Sequence, residues 1–171
     1  MGLTMEVAMI RLVPKRKVPA RVRLADAAVL KGALYVAMRG SGGKPETVAM
    51  RLNDWTEKFL PFALEDRHLL LKKSCIVTIE LANTERGSEE LAQEGGKEFR
   101  LKLGLLDGTS VSGKALGEVP PGRTRALDYL NGAPRFIDLM IDETVVLVNG
   151  NYVVAVSDVF DSDLDMETIR P

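Results

Sequence analysis

One pattern of residues occurs twice in this chain, and a chain that repeats itself folds as two related units. Asp26 followed six residues later by Gly32 matches Asp107 followed six later by Gly113, with Val22 and Leu24 set against Leu103 and Leu105. Phe59 to Asp66 lies against Phe136 to Glu143, and the register continues through Leu70/Leu147, Ile76/Val153, Val77/Val154 and Ile79/Val156. Between these blocks Arg51-Leu52-Asn53-Asp54-Trp55 resembles Arg125-Ala126-Leu127-Asp128-Tyr129. Few positions are identical, but the order of apolar and acidic positions persists. The copies are expected at 18–81 and 98–158. A polar, glycine-bearing linker at 82–97 joins them, flanked by an N-terminal strand or extension at 1–17 and an acidic tail at 159–171.

Local signals suggest what each copy contains. Leu101 to Leu106, Asp107-Gly108 and Ser110 to Ala115 read as two strands about a type I′ turn, and Val145 to Val148, Asn149-Gly150 and Tyr152 to Val156 read the same way. The first copy has Asp26-Ala27 and Lys72-Lys73 at those turns, where a β-carbon opposes left-handed backbone and another loop form or a bulge is expected. Val48, Leu52, Trp55 and Phe59 are spaced for one stripe of a helix that starts near Pro45. In the second copy Leu127 and Leu130 mark a shorter helix, stopped by Asn131-Gly132-Ala133-Pro134. The unit is thus β-β-α-β-β. Its last strands, Val145 to Val148 and Val153 to Val156, are apolar on both faces, which requires cover on two sides.

The strand with Asp107-Gly108, the strand bearing Gly113 and the run from Val145 to Val156 resemble the Sm-like pattern, as does Ser74-Cys75-Ile76-Val77-Thr78-Ile79 in the first copy. The helix lies between the hairpins here, not before them, and the Lys-His dipeptide with which bacterial RNA chaperones of that family bind uridine has no counterpart. The centre from Arg125 to Asn131, followed by Arg135-Phe136, also resembles an uncharacterised bacterial family of small domains of unknown function, and no activity comes with that likeness. The resemblance implies a mainly β fold with short helices (α+β): tandem β-β-α-β-β repeats forming two SH3-like or Sm-like small barrels.

Composition narrows the function. With 46% hydrophobic and 27% charged residues and a net charge of −1, the chain reads as an ordinary soluble domain or two small ones. No window has the length of a membrane span and no secretory signal is evident, so a cytoplasmic location is expected, with no membrane partner. Residues 1–60 hold 11 basic against 5 acidic side chains, whereas 101–171 hold 6 against 11. Such asymmetry favours attraction between the two halves of the chain, or self-association, over steering of nucleic acid.

Catalytic sets are hard to find. His68 and Cys75 are the only pair with nucleophile and base chemistry, and both read as strand residues. Gly40-Ser41-Gly42-Gly43-Lys44-Pro45 lacks the first glycine and the Ser/Thr of a phosphate loop. Asp161, Asp163 and Asp165 lack the glycine and twelfth residue of a calcium loop. The chain is therefore expected to be no enzyme, with no catalytic residue, metal or cofactor. Candidate binding residues are the basic run Lys15, Arg16, Lys17, Arg21 and Arg23, which also suits a charged strand edge, and the repeated acid–aromatic pairs Asp54-Trp55 and Asp128-Tyr129. The favoured reading is a non-enzymatic binding or scaffolding protein that offers a groove or strand edge to a protein partner. The alternative is an Sm-like nucleic-acid binder using the basic N-terminal segment.

Overall fold

The computed structural model describes residues 14–39, 43–82, 96–118, 122 and 125–158. Expectations for the N-terminal extension before residue 14, most of the linker, Gly40 to Gly42 and the acidic tail lie outside them. The first half runs β1 (Lys15–Leu24), β2 (Val29–Ala37), α1 (Val48–Asn53), β3 (Phe59–Ala63), β4 (His68–Lys72), a 3-10 turn (Lys73–Cys75) and β5 (Ile76–Ala82). The second runs β6 (Lys97–Leu105), β7 (Ser110–Gly117), α2 (Ala126–Gly132), β8 (Phe136–Ile141), β9 (Thr144–Asn149), a 3-10 turn (Gly150–Tyr152) and β10 (Val153–Asp158).

All ten strands form one antiparallel sheet in the order β10-β6-β7-β8-β9-β5-β1-β2-β3-β4. The expected pair of small barrels built from β-β-α-β-β units is therefore wrong: the sheet is single and open, and each half supplies five strands. The pairing order β4-β3-β2-β1-β5 in the first half recurs as β9-β8-β7-β6-β10 in the second. The halves meet edge to edge through β5 and β9 and not face to face. Among the described residues no helix is long and apolar enough to cross a membrane.

Two hairpin assignments also change. Asn149-Gly150 does not join paired strands, because β9 pairs with β8 and β5 while β10 pairs with β6. It forms a 3-10 corner, as Lys72-Lys73 does between β4 and β5. At the other turn Leu105 N–H donates to the Thr109 carbonyl and Gly108 N–H to the Leu105 carbonyl, which makes a three-residue loop and not the two-residue type I′ turn. Gly108 takes φ 80° there, and Ala27 takes φ 66° at the same place in the first half despite its β-carbon.

The repeated glycines have a packing cause. A β-carbon on Gly32 would stand 2.2 Å from the Ala63 carbonyl oxygen, and one on Gly113 would stand 2.9 Å from that of Met140. Each glycine lets the third strand of its half cross close over the second. Side chains of each half then share a core. Val18, Val22, Leu34, Phe62 and Ile79 lie in the first, and Phe99, Leu101, Leu103, Ala115 and Leu139 in the second.

The helices are shorter than the apolar spacing suggests. Thr47 caps α1, its Oγ1 accepting from Met50 N–H, and Val48 and Leu52 point into the core. The helix stops at Asn53 because Asp54 turns the chain, its Oδ1 accepting from both the N–H and hydroxyl of Thr56. Trp55 thus follows α1 and Phe59 belongs to β3, so neither extends the helical stripe.

Candidate docking edge

The β5–β9 junction shows how one half is received by the other. The strands pair from Thr78↔Val148 to Ala82↔Thr144, with Ile79 opposite Leu147. Phe136, Val145 and Leu147 of the second half join the core of the first, while Val77 of the first joins the core of the second. Polar pins fix the joint. Asn53 at the end of α1 holds the Phe136 backbone twice, its Oδ1 accepting from the N–H at 2.9 Å and its Nδ2 donating to the carbonyl at 3.3 Å. Buried Asn149 donates from Nδ2 to the Ile76 carbonyl at 2.8 Å. The Trp55 ring lies under the Arg135 guanidinium, 3.5 Å from ring centre to Cζ. Buried Lys73 donates its ammonium protons to the Arg51 and Asp54 carbonyls at the end of α1, and the burial lowers its pKa below the usual lysine value.

Among the described residues, β10 and β4 end the sheet. Val153 to Val156 were expected to be covered on two sides, as Val145 to Val148 are. Only β9 meets the expectation, for Val154 in β10 is 60% exposed and Val156 is also open to solvent. Along this strand run two hollows that share lining residues. One, of about 480 Å³, lies against Ala126, Leu127, Leu130 and Val154. The other, of about 630 Å³, shares Leu130, Val153 and Val156 and reaches Trp55 and Arg135. An apolar groove beside an unpaired strand can take an added strand through its backbone and grip alternate side chains.

The basic candidates are arranged differently from a phosphate-binding patch. β1 lies between β2 and β5, and its pairing with β5 runs from Arg21 to Leu24, so Arg21 and Arg23 do not guard a sheet edge, whereas Lys15, Arg16 and Lys17 pair with β2 alone. Arg21 Nη1 meets both Glu80 carboxylate oxygens at 3.0 Å. Arg23 bonds Asp107 at 2.8 Å and Thr109 at 3.1 Å across the two halves. Arg16 donates to the Glu46 carbonyl at 3.4 Å, Lys17 stands over the Tyr35 ring, and Lys15 is exposed at the strand start. Arg21 and Arg23 line a concave hollow of about 370 Å³ between the halves, with Glu80, Thr109 and Ser112 on its wall. Its arginines already have acidic partners.

The acid–aromatic pairs do not form one repeated feature. Trp55 lies beyond α1, whereas Tyr129 is buried inside α2, stacked on Phe99 with ring centres 4.9 Å apart. Asp54 is exposed and its carboxyl is held below the usual 3.8 by the Thr56 hydrogen bonds. Asp128 sits in the first turn of α2. Aligned from their caps, the helices instead match Leu52-Asn53 with Leu130-Asn131. That match was visible as a shared dipeptide.

His68 and Cys75 are separated along β4, whose four steps from His68 to Lys72 span roughly 13 Å. His68 Nε2 shares a 2.9 Å hydrogen bond with the Tyr35 hydroxyl, and Cys75 is exposed. Among the described residues no group of three or more His, Cys, Asp or Glu side chains is placed to hold a metal ion. Compared with known proteins, the chain matches no family model, no curated protein and no solved structure.

Proposed function

We propose that this is a non-enzymatic binding or scaffolding protein that receives a protein segment along β10. The observation that carries this reading is the exposed apolar run Val154 to Val156 of β10 beside the groove walled by Leu127 and Leu130. Leaving a Val or Leu side chain in water forgoes about 1.5 to 3 kcal/mol of burial, and backbone groups on a free edge seek partners. A strand laid against β10 would satisfy both. The basic strand supports nucleic-acid binding less well, because Arg21 and Arg23 are already engaged by Glu80 and Asp107.

The test is affinity capture from the host with nuclease present, comparing the natural chain with Val156→Lys. A protein retained by the first and lost by the second is the expected result. Recovery that depends on nucleic acid, or that ignores the substitution, would count against β10 as the binding element.

A further inference from the structure

We infer that the segment received by β10 is the β4 edge of a second copy of this chain, docked head to tail. This rests on the docking reading of β10 and names its occupant. The internal junction supplies the argument, because β5 and β10 hold the same place in their halves, as do β9 and β4. The β3–β4 pairs Phe59↔Lys72 and Pro61↔Leu70 correspond to the β8–β9 pairs Phe136↔Asn149 and Asp138↔Leu147. Leu70 therefore stands where Leu147 does, and Phe59 where Phe136 does.

Residues that the junction buries have exposed counterparts at the free edges. Leu147 is 1% exposed and Leu70 72%, while Val77 is 6% exposed and Val154 60%. Phe136 and Ile79 are buried, whereas Phe59 and Val156 are exposed. A strand edge that had only to meet water would be expected to carry polar side chains at these positions. The apolar identity of both edges fits cover of the kind each already has inside the molecule.

Transferring the internal register places Val156 opposite Leu70, as Ile79 stands opposite Leu147. Ala155 then faces Leu71, Ser157 faces Leu69, and Asp158 falls opposite His68. Exposed Asn131 at the end of α2 takes the role of Asn53, with the Phe59 backbone of the incoming copy in place of that of Phe136. Lys72 holds the position of Asn149, whose side chain donates to a carbonyl of the adjoining strand. The contact joins two different surfaces, so each copy keeps one free edge of either kind and assembly continues until it closes or runs on.

The experiment uses the full chain and two variants, L70K and V156K, each measured by light scattering on a sizing column across a concentration series. The natural chain is expected to give species heavier than the monomer, and each variant alone only monomer. Mixed in equal amounts, the variants should form a species of twice the monomer mass, because one retains a sound β10 edge and the other a sound β4 edge. Both side chains are exposed in the single chain, so melting curves are expected to stay unchanged at dilution where the natural chain is monomeric. If either lysine variant does not fold, the threonine variants L70T and V156T serve in its place and are judged by the same masses.

A natural chain that stays monomeric throughout overturns the inference. If capture of another protein still depends on Val156, the docking reading survives with a foreign partner, and if it does not, both fail. Self-association retained by L70K but lost by V156K would mean that β10 pairs with itself, which also overturns the inference.

Discussion

The ends of the two helices begin alike and finish differently. After Leu52, Asn53 grips the Phe136 backbone, Trp55 stacks on Arg135, and Lys73 closes the helix carbonyls from below. After Leu130, the corresponding Asn131 faces solvent, and Ala133 and Gly150 stand where Trp55 and Lys73 do. Among the described residues the same local frame is thus filled at one end and open at the other. At Leu52-Asn53 the dipeptide receives the start of β8, and that contact is what sets the first helix end apart from the second.

The largest expected effect tests whether the halves share a frame at all. Gly32→Ala should destabilise the chain by about 3 kcal/mol, since the added methyl meets a backbone carbonyl that cannot move aside, and Gly113→Ala by about 1 to 2 kcal/mol at its longer approach. Urea denaturation gives both values, and equal, near-zero losses would break the comparison. Next, Asn53→Ala should cost about 1 to 3 kcal/mol by freeing the Phe136 N–H and carbonyl, whereas Asn131→Ala should stay within about 0.5 kcal/mol at dilution where the chain is monomeric. Equal losses in thermal melts would show that the two asparagines do not differ as described.

Turns sharpen the contrast further. Ala27 holds a left-handed conformation that Gly108 adopts without strain, so Ala27→Gly should raise stability by up to about 1 kcal/mol and Gly108→Ala lower it by about as much. A destabilising Ala27→Gly would contradict the turn geometry. The smallest effect concerns acid. The hydroxyl and backbone N–H of Thr109, aided by Arg23, hold the Asp107 carboxyl below its usual 3.8. Its folded pKa is depressed, so the stabilisation is complete above 3.8 and fades as pH falls through the lower folded value. Melting temperatures below that pH should therefore fall less for Asp107→Asn than for the natural chain.

Part of this organisation was legible in residue order. Asp26 to Gly32 and Asp107 to Gly113 marked equivalent turns and equivalent close approaches, because only glycine fits beneath the crossing strand. The offset from Phe59/Phe136 through Ile79/Val156 matched positions that occupy equivalent places in the strand pairings. The open sheet was not legible, since strands apolar on both faces look the same whether another sheet covers them or a neighbour extends them edge to edge. Asn149-Gly150 misled because the dipeptide that suits a hairpin also suits a 3-10 corner. The likeness of Asp54-Trp55 to Asp128-Tyr129 came from shifting one helix by a turn, which hid the Asn53/Asn131 correspondence. The basic strand gave no sign of its acidic partners, because Glu80 and Asp107 are distant in the chain from Arg21 and Arg23.

Amide hydrogen exchange on the natural chain, read strand by strand at low and high concentration, addresses the two edges most directly. Slow exchange in β5 and β9 at every concentration is expected, with β4 and β10 fast when dilute and slowed together as concentration rises. Edge amides that exchange at one rate throughout the series would contradict the claim that each edge is made to receive the other.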